Sequence, residues 1–286
     1  VRATVLDAVK EGFQAHLILD ATRSIDQRPG DGLRAVDAMQ AAGAQIVPPQ
    51  RMDPAVIARP LRSGLFTDWY DLTMGRAYDA EQMDETAVFE LFYRSLPEGR
   101  NYAVAAGLGS VLTYLEQFRF TDDDLEFLAA QGGFSERFIE RLRGLRFEGD
   151  VHAVREGTVV FPGEPILRVE GPMLAAQLVE TLLINQIHMQ TVLTSKAARV
   201  VAAAGGRTVV DFGSRRAHGV DAALKVARAA YLVGAAGTSN VLAGRLYGIP
   251  VVGTMAHSYI QSHDSELAAF AAFTRTNPQT TLLVDT

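Results

Sequence analysis

The residue types best suited to chemistry gather in the last third of the chain. His257 follows the apolar stretch 251–253 by a few residues and sits between Thr254 and Ser258 in a run of small residues. Imidazole there can accept a phosphoryl group or exchange a proton near neutral pH. Spacing alone leaves a structural role for His257 equally open. Arg215-Arg216 follows the aromatic-glycine pair Phe212-Gly213, and two guanidinium forks in that place suit a carboxylate or a phosphate. In Gly234-Ala-Ala-Gly-Thr-Ser-Asn240, which opens a helix, two readings stand. Backbone N–H groups could hold an anion, or Thr238 or Ser239 could simply cap the helix. Phe212, and Tyr70 beside Trp69 in a turn, are either core aromatics or two ring faces for a flat heterocycle. His16, His152, His188 and His263 read as structural or solvated.

Positioning these groups requires short strands. Residues 208–211, 230–233, 251–253 and 281–284 are apolar runs separated by the helical stretches 221–229, 240–247 and 265–273. That alternation predicts parallel β/α units forming part of a barrel, in which reactive groups collect where the loops follow the strands. The polar residues just named, and Asp285, then fall at four successive strand ends.

Upstream, the pattern predicts a strand over 86–94, a helix over 109–118 and another starting at Thr121. Three runs at 151–154, 158–161 and 166–169 predict a small antiparallel meander. A long buried helix over 173–203, stopped by Gly205-Gly206, follows. Residues 1–47 predict a helix at 2–11, a strand at 15–19 and a helix at 31–42, a piece too small to bury an adequate core alone. The Pro-rich stretch 48–62 predicts a stiff connector at a domain boundary.

Composition narrows the class. The 286 residues are 48% hydrophobic and 21% charged, as expected of a globular protein with a real core, and the net charge is −6 with no long run of either sign. This argues against nucleic acid as a main partner. Stretch 173–204 is interrupted by Gln177, Glu180, Asn185, Gln186, His188, Gln190 and Lys196, so no membrane span of roughly 20 apolar residues is expected there. The absence of cysteine excludes disulfides and a thiolate nucleophile, and suits a reducing compartment, with cytoplasm the expected location.

From about residue 63 to the end, the chain resembles nicotinate phosphoribosyltransferase. The matching segments occur in family order: Thr67-Asp-Trp-Tyr-Asp-Leu-Thr-Met74, Phe92-Tyr-Arg-Ser-Leu-Pro97, Tyr102-Ala-Val-Ala-Ala-Gly-Leu108, Gly157-Thr-Val-Val-Phe-Pro162, Asp211-Phe-Gly-Ser-Arg-Arg-Ala-His-Gly219, Gly237-Thr-Ser-Asn-Val-Leu-Ala-Gly244 and Gly253-Thr-Met-Ala-His-Ser258. The resemblance implies an α/β fold of the type II phosphoribosyltransferases: a mixed α/β N-terminal part (63–205) and an irregular, here incomplete, α/β barrel (206–286). It also implies a head-to-tail homodimer with shared active sites. The implied reaction condenses nicotinate with phosphoribosyl pyrophosphate, giving nicotinate mononucleotide and pyrophosphate. ATP hydrolysis through a phosphohistidine would drive it, with Mg2+ present. Carried over by motif, His257 would be phosphorylated and Arg215 and Thr254 would contact nicotinate. Phe212 and Tyr70 would sandwich the ring, Tyr70 from across the dimer interface. Arg94, Arg216, Ser239, Asn240 and Asp285 are candidate phosphate or ribose contacts. An inactive remnant and a nicotinamide-using relative are the competing readings.

Residues 1–47 resemble the C-terminal third of a nicotinamidase of the isochorismatase-like hydrolases, through Val1-Arg-Ala-Thr-Val-Leu-Asp-Ala8, Leu19-Asp-Ala-Thr22 and stretch 32–47. The cysteine, acid and lysine of that family have no counterpart here, so its hydrolysis is not expected of this chain. The phosphoribosyltransferase barrel continues beyond Leu283-Val-Asp-Thr286, into loops expected to bind the donor 5-phosphate. These residues alone are therefore expected to be inactive or insoluble.

Overall fold

The structure is a computed structural model and describes residues 2–12, 14, 16–18, 31–47 and 63–285. The expected connector at 48–62 and the expected strand end at residues 19–22 lie outside the described residues. The chain divides into two compact units, Val1–Pro60 and Leu61–Thr286.

In the first unit, helix α1 (Arg2–Lys10) and helix α2 (Asp31–Ala41) share a small core, and each is followed by a three-residue strand, β1 (His16–Ile18) and β2 (Gln45–Val47). The strands pair in parallel, His16 opposite Gln45 and Ile18 opposite Val47. Met39 and Ala44 are buried against Val5, Leu6, Val9, Ala35 and Val36. Strand β2 was not anticipated, because three residues running into Pro48-Pro49 carry no visible alternation.

The second unit opens with helix α3 (Trp69–Glu81). This corrects the expected turn: Trp69 and Tyr70 form the first helical turn. No broad apolar stripe marks the helix, because its buried positions include Asp71, Gly75 and Asp79. Asp71 is fully buried and pairs with no cation among the described residues. Its carboxylate instead accepts from Thr67 Oγ1 (2.8 Å), from the backbone N–H of Asp68 (3.3 Å) and from Gln177 Nε2 (2.7 Å). Asp79 pairs with Arg141 at 2.7 Å.

Strands β3 (Thr86–Leu91), β4 (Ala103–Val104), β5 (Asp150–Ala153), β6 (Val159–Val160) and β7 (Leu167–Pro172) form two sheets. In the larger, β7 lies between β3 and β5, antiparallel to both, with Leu91 and Ala153 opposite Leu167 on either side. β6 pairs instead with β4, Ala103 opposite Val160. The expected three-strand meander is thereby corrected: hairpin spacing suggested neighbours, but β6 pairs with a segment far upstream in sequence, which local pattern cannot reveal. Helices α4 (Leu108–Gln117), α5 (Asp122–Gln131) and α6 (Glu136–Gly144) pack Tyr114, Phe118, Leu125, Leu128, Phe138 and Leu142 into one core. Thr121 caps α5 by accepting from the N–H of Asp124.

The expected long helix is split into α7 (Met173–Leu178) and α8 (Glu180–Ala203). Beyond it come β8 (Val210–Asp211), a 3-10 turn (Ser214–Arg216), α9 (Val220–Leu232), β9 (Gly237–Thr238), α10 (Val241–Tyr247), α11 (His257–Gln261) and α12 (Glu266–Thr276). β8 and β9 are parallel, and Thr238 bridges in parallel to Val251. Two expected strands are corrected. Residues 230–232 finish helix α9, since a short apolar run continues a helix as readily as it makes a strand. Residues 281–284 form no strand, having no partner strand among the described residues. The architecture is mixed α/β with partial sheets and no closed barrel among the described residues.

Glu156, between β5 and β6, binds Arg228 of α9 through two contacts (3.0 and 2.5 Å) and accepts from the N–H of Gly107 at 2.6 Å. Burial pushes its carboxyl up, but the guanidinium and the backbone donor outweigh this and hold it below the usual carboxylate range. A depressed carboxyl adds stability that is present above its unfolded pKa and lost as pH falls through its folded pKa. Thermal stability is therefore expected to decline below about pH 4.5, the ordinary value for such a group. In Glu156→Gln the decline should be shallower. Parallel Tm profiles for the two proteins between acid and neutral pH would remove this pair from the account. Asp71→Ala removes the acceptor of one Gln177 N–H and of the Thr67 hydroxyl and should cost about 1–3 kcal/mol by denaturant titration; an unchanged midpoint would contradict the buried network.

Candidate active site

Strand β8 delivers Phe212 and the 3-10 turn carrying Arg215 and Arg216, while β9 delivers Ser239 and Asn240 at the start of α10. The bridge at Val251 leads to Thr254 and to His257, the first residue of α11. Three of the four expected strand-end clusters thus follow parallel backbone. The group at 234–240 is re-sited: Gly237 and Thr238 are the strand, not the loop after it.

The β8 and β9 loops are joined by side chains. Asp211 accepts from the N–H of Gly213 through Oδ1 (2.9 Å) and from Thr238 Oγ1 through Oδ2 (2.7 Å). Asn240, and neither Thr238 nor Ser239, caps α10, accepting from the N–H of Ala243 at 3.0 Å. Thr238 Oγ1 accepts from the N–H of Asn240 at 3.1 Å.

Phe212 is 49% exposed, above a cavity of about 240 Å3 lined also by Lys196, Val200, Val226 and Ala230. Arg215 and Arg216 are exposed and have no carboxylate partner among the described residues. The hydroxyl of Ser214 is buried beside them without a hydrogen-bond partner among the described residues. Thr254 is exposed and donates to the carbonyl of Met255 at 3.2 Å. His257 and Asp285 come together, Nε2 lying 3.5 Å from Oδ1, both side chains at least half exposed.

Tyr70 stands elsewhere in the unit. Its hydroxyl donates to Glu180 Oε1 at 3.1 Å, and Glu180 also accepts from Gln177. Burial and the neighbouring Asp71, Glu180 and Asp68 carboxylates push its phenol up to about 12, so it stays a neutral donor. Glu180 in turn lines a groove of about 570 Å3 with Arg94, Phe89, Phe92, Tyr93 and His188. No hydrogen bond or ring contact joins Tyr70 or Arg94 to Phe212, Arg215 or His257 among the described residues. Sequence reading missed Glu180, Asp211 and Thr238 as site-building residues. A lone carboxylate in the stretch 173–203, whose other interruptions are neutral or basic, was the available signal for Glu180.

Two family descriptions match the chain: the nicotinate phosphoribosyltransferase N-terminal domain over residues 65–188, and the nicotinate phosphoribosyltransferase family over residues 208–282. A Mycobacterium tuberculosis protein described as nicotinate phosphoribosyltransferase pncB2 is 63% identical over 222 residues, covering 78% of this chain and 48% of that protein. The nicotinate phosphoribosyltransferase of Bacillus subtilis is 46% identical over 223 residues, covering 78% of this chain and 46% of its own length. The crystal structure of human nicotinic acid phosphoribosyltransferase superposes with a TM-score of 0.64 at 41% identity, over 68% of this chain and 40% of that one. The chain spans about half the length of the curated relatives it matches. Through these matched residues, it belongs to the nicotinate phosphoribosyltransferase family.

Proposed function

We propose that the chain supplies the nicotinate-binding and phosphoryl-accepting parts of a cytoplasmic nicotinate phosphoribosyltransferase working in NAD salvage. The carrying observation is the Asp211-held turn, in which the half-exposed ring of Phe212 is followed by Arg215 and Arg216, both exposed and without a carboxylate partner among the described residues. A flat pyridine with one carboxylate needs a ring face and a fork of donors, and a carboxamide would gain less from the fork. Thr254 would contact the carboxylate from the neighbouring loop.

In this reading, nicotinate nitrogen attacks the anomeric carbon of phosphoribosyl pyrophosphate, and pyrophosphate leaves. His257 takes the terminal phosphoryl group of ATP, its ring nitrogen forming the P–N bond as ADP departs, and water later releases phosphate. Asp285 would steady the imidazole. Among the described residues no group of three or more His, Asp or Glu side chains could hold a metal ion, so Mg2+ would arrive with the polyphosphates and keep much of its own water. Arg216, Ser239 and Asn240 would meet the donor's ribose and phosphates. Tyr70 and Arg94, lying apart from Phe212, would act in the partner's site of a homodimer, each subunit completing the other.

We infer that residues 1–47 derive from a nicotinamidase-like hydrolase, a reading supported by the parallel β1–α2–β2 arrangement. With no cysteine in the sequence, this unit does not carry cysteine-dependent hydrolysis itself. An upstream hydrolase producing nicotinate would feed the enzyme described above.

Calorimetry on the full-length protein with nicotinate, nicotinamide and quinolinate should show nicotinate bound best, and Arg215→Ala should weaken it about 10- to 100-fold through loss of a charge-assisted fork. Tighter binding of nicotinamide would overturn the substrate. His257→Ala should abolish the stimulation of nucleotide formation by ATP while sparing a slow ATP-independent rate. Full retention of that stimulation would remove His257 from the mechanism.

A further inference from the structure

We propose that Asp211 and Thr238 are positioning residues: together they lock the loops after β8 and β9 into one register, and so decide where Phe212 and Arg215 stand. The proposal rests on the reading of these loops as the nicotinate site.

The short β8–β9 ladder by itself holds this register weakly. β8 and β9 pair over two residues only, Val210 with Gly237 and Asp211 with Thr238, and a slip of one residue would turn each side chain to the opposite face. The side chains remove that freedom. Thr238 is fully buried, and its hydroxyl donates to Asp211 Oδ2 while accepting from the N–H of Asn240. The other carboxylate oxygen of Asp211 accepts from the N–H of Gly213, and the backbone carbonyl of Asp211 accepts from the N–H of Ser239 at 2.9 Å. Thr238 also exchanges backbone hydrogen bonds with the segment around Val251, its N–H donating to Pro250 and its carbonyl accepting from Val252, each at 3.0 Å. At Gly237 the backbones approach so closely that a Cβ would lie 2.7 Å from the Pro250 carbonyl.

Asp211 has no basic partner among the described residues, so its charge is satisfied by a hydroxyl and a backbone N–H. Both oxygens are occupied by these donors, so although Asp211 also lines the cavity beside Phe212, its carboxylate is committed to the two loops. Any sideways shift breaks several of these bonds together, and each leaves a half-buried or buried polar atom unpaired.

The test uses full-length protein carrying Thr238→Val, Thr238→Ser or Asp211→Asn, read by nicotinate calorimetry and by amide exchange over residues 211–219 and 239–243. Thr238→Val should speed exchange at Gly213 and Asn240 and weaken nicotinate at least about tenfold, whereas Thr238→Ser, which keeps the hydroxyl, should stay within about threefold of wild type. In an Arg215→Ala background, Thr238→Val should add less than about threefold, because the two act on the same contact. If Thr238→Val does not fold, Asp211→Asn carries the same expectation, having lost the acceptor-only carboxylate that faces Thr238. Unchanged exchange, or faster exchange with unchanged affinity, would overturn the positioning role. Wild-type protein that fails to bind nicotinate would refute the substrate reading, while the exchange data would still decide whether the lock exists.

Discussion

Helix α8 (Glu180–Ala203) is the constraint on which the second unit depends, because one of its faces must satisfy backbone that no strand satisfies. Strand β4 is two residues long, and the segment after it runs through the interior. Ser195 Oγ accepts from the N–H of Val104 at 2.8 Å, and Thr191 Oγ1 both accepts from the N–H and donates to the carbonyl of Ala106. Unpaired, each of those backbone groups would cost free energy comparable to a lost hydrogen bond. Arg199 extends the row, donating to the Tyr102 carbonyl and stacking 4.3 Å from the Tyr102 ring. The close fit ends at Gly107, whose φ is +105° and where a Cβ would lie 2.6 Å from the Gln186 carbonyl.

The same helix links the two groups of candidate residues. At its first turn, Glu180 holds the Tyr70 hydroxyl; near its other end, Val200 and Val201 line the cavity under Phe212. Helix α9 packs along it and is tied to the N-terminal part by the Glu156–Arg228 fork. Because Arg228 and Glu156 are both mostly shielded, at 26% and 17% side-chain exposure, the pair draws strength from weak screening and from the Gly107 N–H that shares the carboxylate. The loop carrying Arg215 and Arg216 directly precedes α9, so this fork also fixes the platform from which those arginines project.

Charge is distributed unevenly around the candidate residues. The guanidinium groups after β8 are exposed, whereas the Asp211 carboxylate in the same loop is committed to the Thr238 hydroxyl and the Gly213 N–H. Around Tyr70, burial and the carboxylates Asp71, Glu180 and Asp68 raise the phenol further above neutrality, so that it donates to Glu180.

By itself the sequence determined the strongly periodic elements and the reactive inventory. The helices at Leu108–Gln117, Asp122–Gln131 and Glu180–Ala203 have caps or long apolar runs that local physics reads directly, and the polar clusters after β8 and near His257 were visible as residue types at regular intervals. What it left undecided depended on distant partners. Helix α3 is held by buried carboxylates, so its periodicity is faint; β6 pairs with β4 instead of its neighbour; residues 230–232 extend a helix because α8 offers them a packing surface and no strand offers them a ladder. The roles of Asp211 and Thr238 were decided only by tertiary structure, since a hydrogen bond between residues 27 positions apart exists only once two strands have been laid side by side.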